Sequence, residues 1–189
     1  MNPRLFSFVG GTTGAWRVVR IDTRCGEPLS SAERLDMVAG TPADARDTRW
    51  VLRGVTSNER YVTRAEKDRL LAGQPSLGRP EATCAALIPL RKNADWWALT
   101  QDERRRIMED RSRHIAIGLQ YLPAVARRLH HCRDLSEREP FDFLTWFEFM
   151  PGDAVAFDEL VHRLRETPEW RYVEREVEVR LRKTPETST

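Results

Sequence analysis

The chain has 189 residues, of which 40% are hydrophobic and 32% charged, so it can bury a core in one large domain or two small ones. The 31 basic and 29 acidic side chains nearly cancel, which argues against a general nucleic-acid binder. No apolar run reaches the ~20 residues that cross a bilayer, and the N-terminus lacks a secretory pattern, so we expect a cytoplasmic protein without a membrane partner.

The first 80 residues favour β-structure followed by a linker. Short apolar runs separated by glycine-rich turns are typical of paired strands. We expect strands at Leu5–Val9, Ala15–Ile21 and Trp50–Val55, a short helix beginning within Ser30–Arg34, and a helix that Asn58 caps and that runs to about Leu71. The glycine- and proline-rich segment 73–80 then predicts a linker between two halves of the chain.

The second half predicts six elements in the order strand, helix, strand, strand, helix, strand. Thr100 and Glu103 form a capping-box pattern at the start of the first helix. The strands are expected at Thr83–Lys92, Arg128–Arg133, Phe141–Phe149 and Tyr172–Leu181, and the helices at about Thr100–Gly118 and Pro151–Arg165. This order is that of the split βαβ, or ferredoxin-like, arrangement.

We therefore predict an α+β protein built from two ferredoxin-like halves, residues 1–80 and 81–189. The first half is interpreted as a degenerate copy of the second on element order alone. Two helices cover only one face of a four-stranded sheet, so the other face needs a cover. Two such sheets that close on each other would form an α+β barrel.

His114 is a candidate metal ligand. It precedes the apolar residues Ile115–Ile117, beside which a neutral imidazole can face a dry cavity, although a structural, partly buried histidine fits the same pattern. No second histidine or carboxylate stands near it at ligand spacing. A lone protein histidine suits haem iron better than zinc, because the porphyrin supplies four further donors. The run His130-His131-Cys132 resembles a metal cluster, but neighbours on a strand point to opposite faces, which favours a structural role.

Arg127 has two interpretations that the sequence leaves open. It is either a solvated cation at a strand end or a cation that faces an anion in an apolar pocket, where a permanent charge acts strongly. Glu169 is likewise either a surface carboxylate or the hydrogen-bond acceptor for the ring N–H of a ligating histidine.

Two adjacent tryptophans, Trp96 and Trp97, stand in a predicted loop that follows Lys92. They are either a hydrophobic plug between sheet and helix or a wall for a flat cofactor, with Lys92 meeting its propionate.

Several sequence stretches together resemble the chlorite dismutase family, and closely its short-chain branch. The matching stretches run from about Trp50 to Leu181 and read LRGV, ERYV.RAEK, ALIPLRK, WW.LTQDERR, HIA..L.YLPA.AR.L.HCRD, FDFLTWFEF and EW.YVEREV. Any one of them alone is weak, but as a set they are specific. The resemblance implies a homodimer of α+β barrels in which each subunit holds one haem b in its C-terminal half.

The resemblance also implies roles for the candidate residues. His114 is expected to be the proximal iron ligand and Glu169 its hydrogen-bond partner, while Arg127 is expected to be the mobile distal arginine. Lys92, Trp96 and Trp97 are expected to belong to the haem-binding wall. The implied reaction converts the chlorite anion to chloride and dioxygen, with the O–O bond formed when a ferryl species and hypochlorite recombine.

Other functions remain open at this point. A coproheme decarboxylase of the same superfamily usually has glutamine where Arg127 stands and a tyrosine where Ile88 stands, so both positions argue against it. A non-catalytic haem carrier or sensor would use the same histidine but would leave Arg127 without a role. A barrel without any cofactor is the last alternative.

Overall fold

Eight antiparallel strands of the computed structural model, which describes residues 4–42, 47–56 and 60–184, form one closed barrel. The strands are β1 Leu5–Gly11, β2 Trp16–Cys25, β3 Arg34–Ala39, β4 Thr48–Val55, β5 Cys84–Lys92, β6 Val125–His131, β7 Phe143–Phe149 and β8 Val173–Lys183. Around the barrel the strand order is β1-β3-β2-β8-β5-β7-β6-β4. The protein is therefore an α+β barrel in which both halves of the chain contribute to a single sheet.

Four of the five described α-helices lie in the second half. The five are α1 Arg64–Gly73, α2 Ala94–Ala98, α3 Gln101–Arg105, α4 His114–Gln120 and α5 Ala154–Arg165, with a π-helical turn at Arg106–Arg111 and 3-10 turns at Pro151–Asp153 and Pro168–Tyr172. No helix in the described ranges is long and apolar enough to cross a membrane.

The two halves share a strand order but not a helix pattern. In each half the fourth strand lies at one edge, followed by the first, the third and the second. The second half has helices between β5 and β6 and between β7 and β8, as the sequence predicts. The first half has no described helix between its strands, and its helix α1 follows β4. The short helix expected to begin within Ser30–Arg34 is not present, and β3 begins at Arg34 instead.

The seams between the halves differ in length. Strand β2 pairs with β8 from Trp16 to Cys25, whereas β4 pairs with β6 only where Val55 lies opposite His131. The first seam closes the barrel along a full strand, and at the second seam β4 and β6 share this single bridge.

Large apolar side chains fill the inside of the barrel. Trp16 meets Trp146 edge-on at 5.4 Å between ring centroids, and Phe8 and Leu35 are fully buried beside them. A second core lies outside the barrel, where α5 covers the sheet of the second half with residues such as Phe157 and Leu160. The alternation of the strands thus gives the second-half sheet two buried faces.

The register of β6 and β7 decides which residues face the helices. Phe147 lies opposite Arg127, and Phe143 lies opposite His131. Since side chains alternate along a strand, Arg127 and His131 share the outer face, and His130 faces the barrel. His130 indeed packs edge-on against Phe6 and Phe8, inside the barrel core.

The predicted helix from Thr100 to Gly118 is wrong in one respect, because it is interrupted before His114. The capping box of Thr100 is present and α3 follows it, but the π-helical turn ends at Arg111 and Arg113 adopts a left-handed conformation with φ of 53°. The Glu109 carboxylate accepts the Ile115 N–H and so caps the first turn of α4. His114 consequently begins a new helix.

Two smaller expectations also change. The expected cap Asn58 lies outside the described residues, and α1 is capped by Thr63 through a capping box with Glu66. Strand β6 begins at Val125 and so includes Arg127, which was expected just before the strand.

Candidate functional site

A cavity of about 750 Å³ lies between the outer face of the second-half sheet and helices α1, α4 and α5. Strands β5, β6 and β7 form its floor, which is mainly apolar and includes Ile88, Leu129 and Phe147. Five of the six predicted site residues line this cavity: Lys92, Trp96, His114, Arg127 and Glu169. The fold therefore brings together residues that are up to 77 positions apart in the sequence.

Trp97 is the predicted site residue that the structure places elsewhere. It belongs to α2 and not to a loop, and its ring stacks on Phe143 with centroids 6.0 Å apart. Its indole N–H donates to Asp142, and the Arg133 guanidinium lies 4.1 Å from the ring centroid. Because adjacent residues of a helix point in different directions, Trp96 lines the cavity and Trp97 packs away from it. Trp97 is therefore a supporting residue and not part of the cavity wall.

A buried carboxylate links His114 to Lys92. Glu169 Oε2 lies 2.7 Å from His114 Nδ1, and Glu169 Oε1 accepts a hydrogen bond of 2.9 Å from Lys92 Nζ. Burial opposes the charged form of Glu169, but its interactions with His114 and Lys92 outweigh burial and lower the pKa of Glu169 to about 2. The carboxylate is therefore ionised at neutral pH. With Nδ1 bound to it, Nε2 is the ring nitrogen left for a metal ion.

Two hydrogen bonds from backbone N–H groups and one side-chain contact hold this triad in place. The Glu169 N–H donates to Ser112 Oγ at 2.9 Å, which ties the 3-10 turn of Glu169 to the break before α4. The Lys92 N–H donates to Asp142 at 2.7 Å, at the end of β5. The Lys92 ammonium also lies 4.7 Å from the centroid of the Trp96 ring. The Lys92 ammonium therefore contacts Glu169 and Trp96, whereas a contact with a propionate of the cofactor was expected.

Trp96 contributes an unsatisfied donor to the cavity. Its side chain is buried, and its Nε1–H has no hydrogen-bond partner in the described part of the chain. An unpaired buried N–H carries a free-energy cost, which an acceptor on a bound molecule would remove. Asn93 caps α2 by accepting the Trp96 backbone N–H and so fixes where the indole lies.

Arg127 is a partly buried cation without a carboxylate partner among the described residues. Its Nη1 donates to the carbonyl oxygen of Gly118 at 3.0 Å, and burial lowers its pKa to about 10. It therefore remains charged at neutral pH. A desolvated cation in an apolar cavity attracts an anion far more strongly than a solvated one does. Of the two interpretations of Arg127, the structure supports the cation that faces a pocket.

Sequence reasoning assigned no functional role to three residues around the same cavity. Gln74, in the predicted linker, donates from Nε2 to the backbone oxygen of Arg127 at 3.0 Å. His131 lines the cavity with a buried Nδ1 that has no partner in the described ranges, and burial lowers its pKa to about 4, so it is neutral. Gly118 carries the carbonyl that holds Arg127. Only the alternation of β6 could have indicated His131, and nothing local in the sequence indicates the other two.

The donor set of the cavity fits the expected haem. No group of three or more histidine, cysteine or acidic residues that could hold a metal ion exists within the described ranges. A metal bound through His114 would need its other donors from a cofactor, and the cavity has room and apolar surface for a planar one. The Trp96 N–H is a ready donor for a carboxylate of such a cofactor.

Comparison with known proteins gives the same family by three routes. The family model described as chlorite dismutase matches residues 28–182. The chlorite dismutase of Ideonella dechloratans is 35% identical over 122 residues, which are 63% of this chain and 40% of the relative. The chain therefore aligns with less than half the length of that relative.

Solved structures agree with the observed fold. The dimeric chlorite dismutase of Nitrobacter winogradskyi superposes with a TM-score of 0.87 and 54% identity over 95% of this chain and 99% of that one. A mutant chlorite dismutase of Candidatus Nitrospira defluvii in complex with cyanide superposes at 0.69 over 98% of this chain and 92% of that one, and at 21% identity it supports the fold alone. Since the family match spans most of the sequence, the chain belongs to the chlorite dismutase family.

Proposed function

We propose that this protein is a haem b enzyme that converts chlorite to chloride and dioxygen, ClO₂⁻ → Cl⁻ + O₂. The observation that carries the proposal is the pairing, in one apolar cavity, of a carboxylate-bound histidine with an uncompensated arginine. The names of the relatives support the same reaction, including that of the Nitrobacter winogradskyi enzyme at 54% identity.

The cofactor is assigned to the family's haem because the cavity residues fit it. His114 would bind the iron through Nε2, and Trp96 would donate its free N–H to a propionate. Lys92 would act indirectly, through its hydrogen bond to Glu169. When bound, the haem supplies a redox-active iron at which bonds to oxygen can be broken and made.

Glu169 would set the donor strength of His114. Its carboxylate holds the proton on Nδ1 and fixes the orientation of the ring, which makes Nε2 a stronger electron donor. Lys92 shares the same carboxylate and neutralises part of its charge. The buried triad thus gives the histidine a fixed tautomer without leaving an unpaired charge in the protein.

Arg127 would hold the substrate. The guanidinium attracts chlorite into an apolar cavity and keeps the chlorine-containing anion there until chloride and dioxygen have formed. Because its pKa lies near 10, this attraction does not change between pH 5 and 8. Ile88 lies on the cavity floor and has no ionisable group, so this position lacks the phenol that a decarboxylase of the superfamily would place there.

The assembly is proposed to be a homodimer of subunits with two halves, residues 1–80 and 81–189, that share the ferredoxin-like strand order, although helices between the described strands occur only in the second half. The dimeric relative from Nitrobacter winogradskyi supports the oligomeric state. The common strand order of the two halves supports the internal duplication.

Oxygen release on addition of chlorite to the haem-loaded protein tests the proposal, followed with an oxygen electrode. Prompt oxygen evolution that is lost in Arg127→Ala is expected. A protein that binds haem and releases no oxygen would overturn the enzymatic proposal in favour of a haem carrier or sensor, and a protein that cannot be loaded with haem would overturn the cofactor assignment as well.

A further inference from the structure

Gly118 lies against the guanidinium of Arg127. It is four residues after His114 in α4, so both belong to the same side of the helix. The carbonyl oxygen of Gly118 accepts the hydrogen bond of 3.0 Å from Arg127 Nη1. Within the described ranges this is the one hydrogen bond of the guanidinium.

The close approach depends on the missing side chain. A Cβ atom built on Gly118 would lie 2.9 Å from Arg127 Cζ and 3.1 Å from Nη1, with Nη2 nearer still. Real Cβ atoms essentially never come within 3.0 Å of another heavy atom, so the guanidinium would have to move. Glycine is also a poor helix former compared with alanine, which makes its presence inside a seven-residue helix unfavourable for the helix itself. The Arg127 guanidinium occupies the space that an alanine side chain would need, which explains why glycine stands at this helical position.

The carbonyl of Gly118 is available because the helix ends there. The Leu122 N–H, which would bond to it in a continuing helix, donates instead to Leu119 O. Among the backbone N–H groups of the described residues, that of Tyr121 approaches Gly118 O, at 3.4 Å. Free carbonyl groups at the C-terminus of a helix carry partial negative charge and attract cations. Arg127 therefore finds a favourable acceptor in a cavity that offers it no carboxylate.

We propose that Gly118 is a positioning residue for Arg127. Its carbonyl oxygen and the space left by its missing side chain form a docking notch, which holds the guanidinium in the cavity one helical turn from His114. The value of the notch for anion binding rests on the proposed function, whereas the docking itself does not. A docked arginine keeps its charge in place before an anion arrives, and so loses less conformational freedom when it binds one.

A double-mutant comparison tests the docking without any haem. The melting temperature of the full chain is measured for Gly118→Ala, both with Arg127 present and in an Arg127→Ala background. Alanine should favour the helix in both, but only with Arg127 present does it also displace the guanidinium. We expect the shift caused by Gly118→Ala to be more favourable by at least about 2 °C when Arg127 is absent. Equal shifts in the two backgrounds would overturn the proposal.

A second measurement asks whether the notch matters for anions. Fluoride binding to the haem-loaded protein is followed by visible absorption, since the ferric-fluoride spectrum responds to hydrogen donation to the ligand. Gly118→Ala should weaken fluoride binding by roughly 3- to 10-fold, and the same change should have no effect in the Arg127→Ala background. Unchanged or tighter binding would overturn the positioning role.

Gly152→Ala is a matched control for both measurements. A Cβ atom on Gly152 meets nothing within 4 Å, and this residue precedes α5 and does not line the cavity. It should leave fluoride affinity unchanged and respond identically with and without Arg127. If the protein cannot be loaded with haem, the melting temperatures still test whether Gly118 docks Arg127. Failure of the proposed function and failure of the docking proposal can therefore be told apart.

Discussion

Replacing Glu169 by glutamine should destabilise the folded chain, by an amount that follows from the interactions of the Glu169 carboxylate with His114 and Lys92. The carboxylate has a pKa of about 2 in the folded protein, against 4.5 for the unperturbed side chain. A difference of about 2.5 pKa units corresponds to roughly 3 kcal/mol of unfolding free energy at neutral pH. Glutamine keeps the shape and one acceptor but leaves Lys92 buried with an unpaired charge, which typically costs about 3–5 kcal/mol. Both routes give a loss of roughly 3 kcal/mol.

The pH dependence of this loss has a definite sign. Because the pKa of Glu169 is lower in the folded than in the unfolded chain, its ionisation stabilises the fold fully above pH 4.5. That contribution disappears as the pH falls from 4.5 towards 2, where the folded carboxylate takes up a proton. The difference in unfolding free energy between wild type and Glu169→Gln should therefore be largest near neutrality and shrink below pH 4.5.

Urea unfolding of the full chain at several pH values measures this difference. Glu174→Gln is a matched control, because Glu174 pairs with Arg91 at the surface, where both side chains are nearly half exposed. We expect the control to change the unfolding free energy by less than about 1 kcal/mol. If Glu169→Gln costs no more than this control at pH 7, or if its cost does not change with acid, the argument for an ionised buried triad is refuted.

Three further substitutions test the cavity residues by their effects on haem and turnover. His114→Ala should abolish the Soret absorption of the ligated haem, because it removes the nitrogen available to the iron. Arg127→Ala should retain that absorption but lower the rate of oxygen evolution by about 10²-fold and shorten the active lifetime, as the oxygen electrode would record. Trp96→Phe should weaken haem binding by roughly tenfold in a haem-transfer assay, since it removes the buried N–H but keeps an aromatic ring.

Each of these predictions has its own counter-result. An unchanged Soret band in His114→Ala would place the iron ligand elsewhere, and full turnover in Arg127→Ala would leave the guanidinium without a role. Trp97→Phe is the control for Trp96→Phe, because its ring packs on Phe143 outside the cavity lining. Equal haem affinities of the two tryptophan variants would show that the free N–H of Trp96 is not used.

The second half of the fold was predictable because its signals are local. Alternation of charged and apolar residues marks β8, and the capping box of Thr100 marks the start of α3. The break before His114 was not predictable, since it depends on contacts with distant residues: Ser112 accepts the Glu169 N–H from a turn 57 positions away. The consequence is functional, because this break places His114 at the start of its own helix, beside Glu169.

The site was predictable to a similar extent. The motifs of the family resemblance indicated His114, Arg127 and Glu169, and the cavity contains all three. They could not indicate what each side chain contacts, so Lys92 was expected at a propionate and is found on Glu169. Gln74 was overlooked because its partner, the backbone oxygen of Arg127, is 53 positions away in sequence.

The proposed preference of the cavity for an anion rests on how its charges are paired and not on the net charge of +2. Among the charged side chains that line it, Lys92 is paired with Glu169, Arg165 with Glu176, and Arg60 with Asp134. Two adjacent cations, Arg127 and Arg128, have no acidic partner in the described residues, and the Arg128 guanidinium lies over the Phe6 ring. Because the remaining charges of the cavity are paired, its positive potential is concentrated at β6. This potential stabilises a small bound anion most and gives a neutral ligand no electrostatic stabilisation. Removing the charge of Arg127 should accordingly weaken fluoride binding while leaving that of neutral imidazole unchanged.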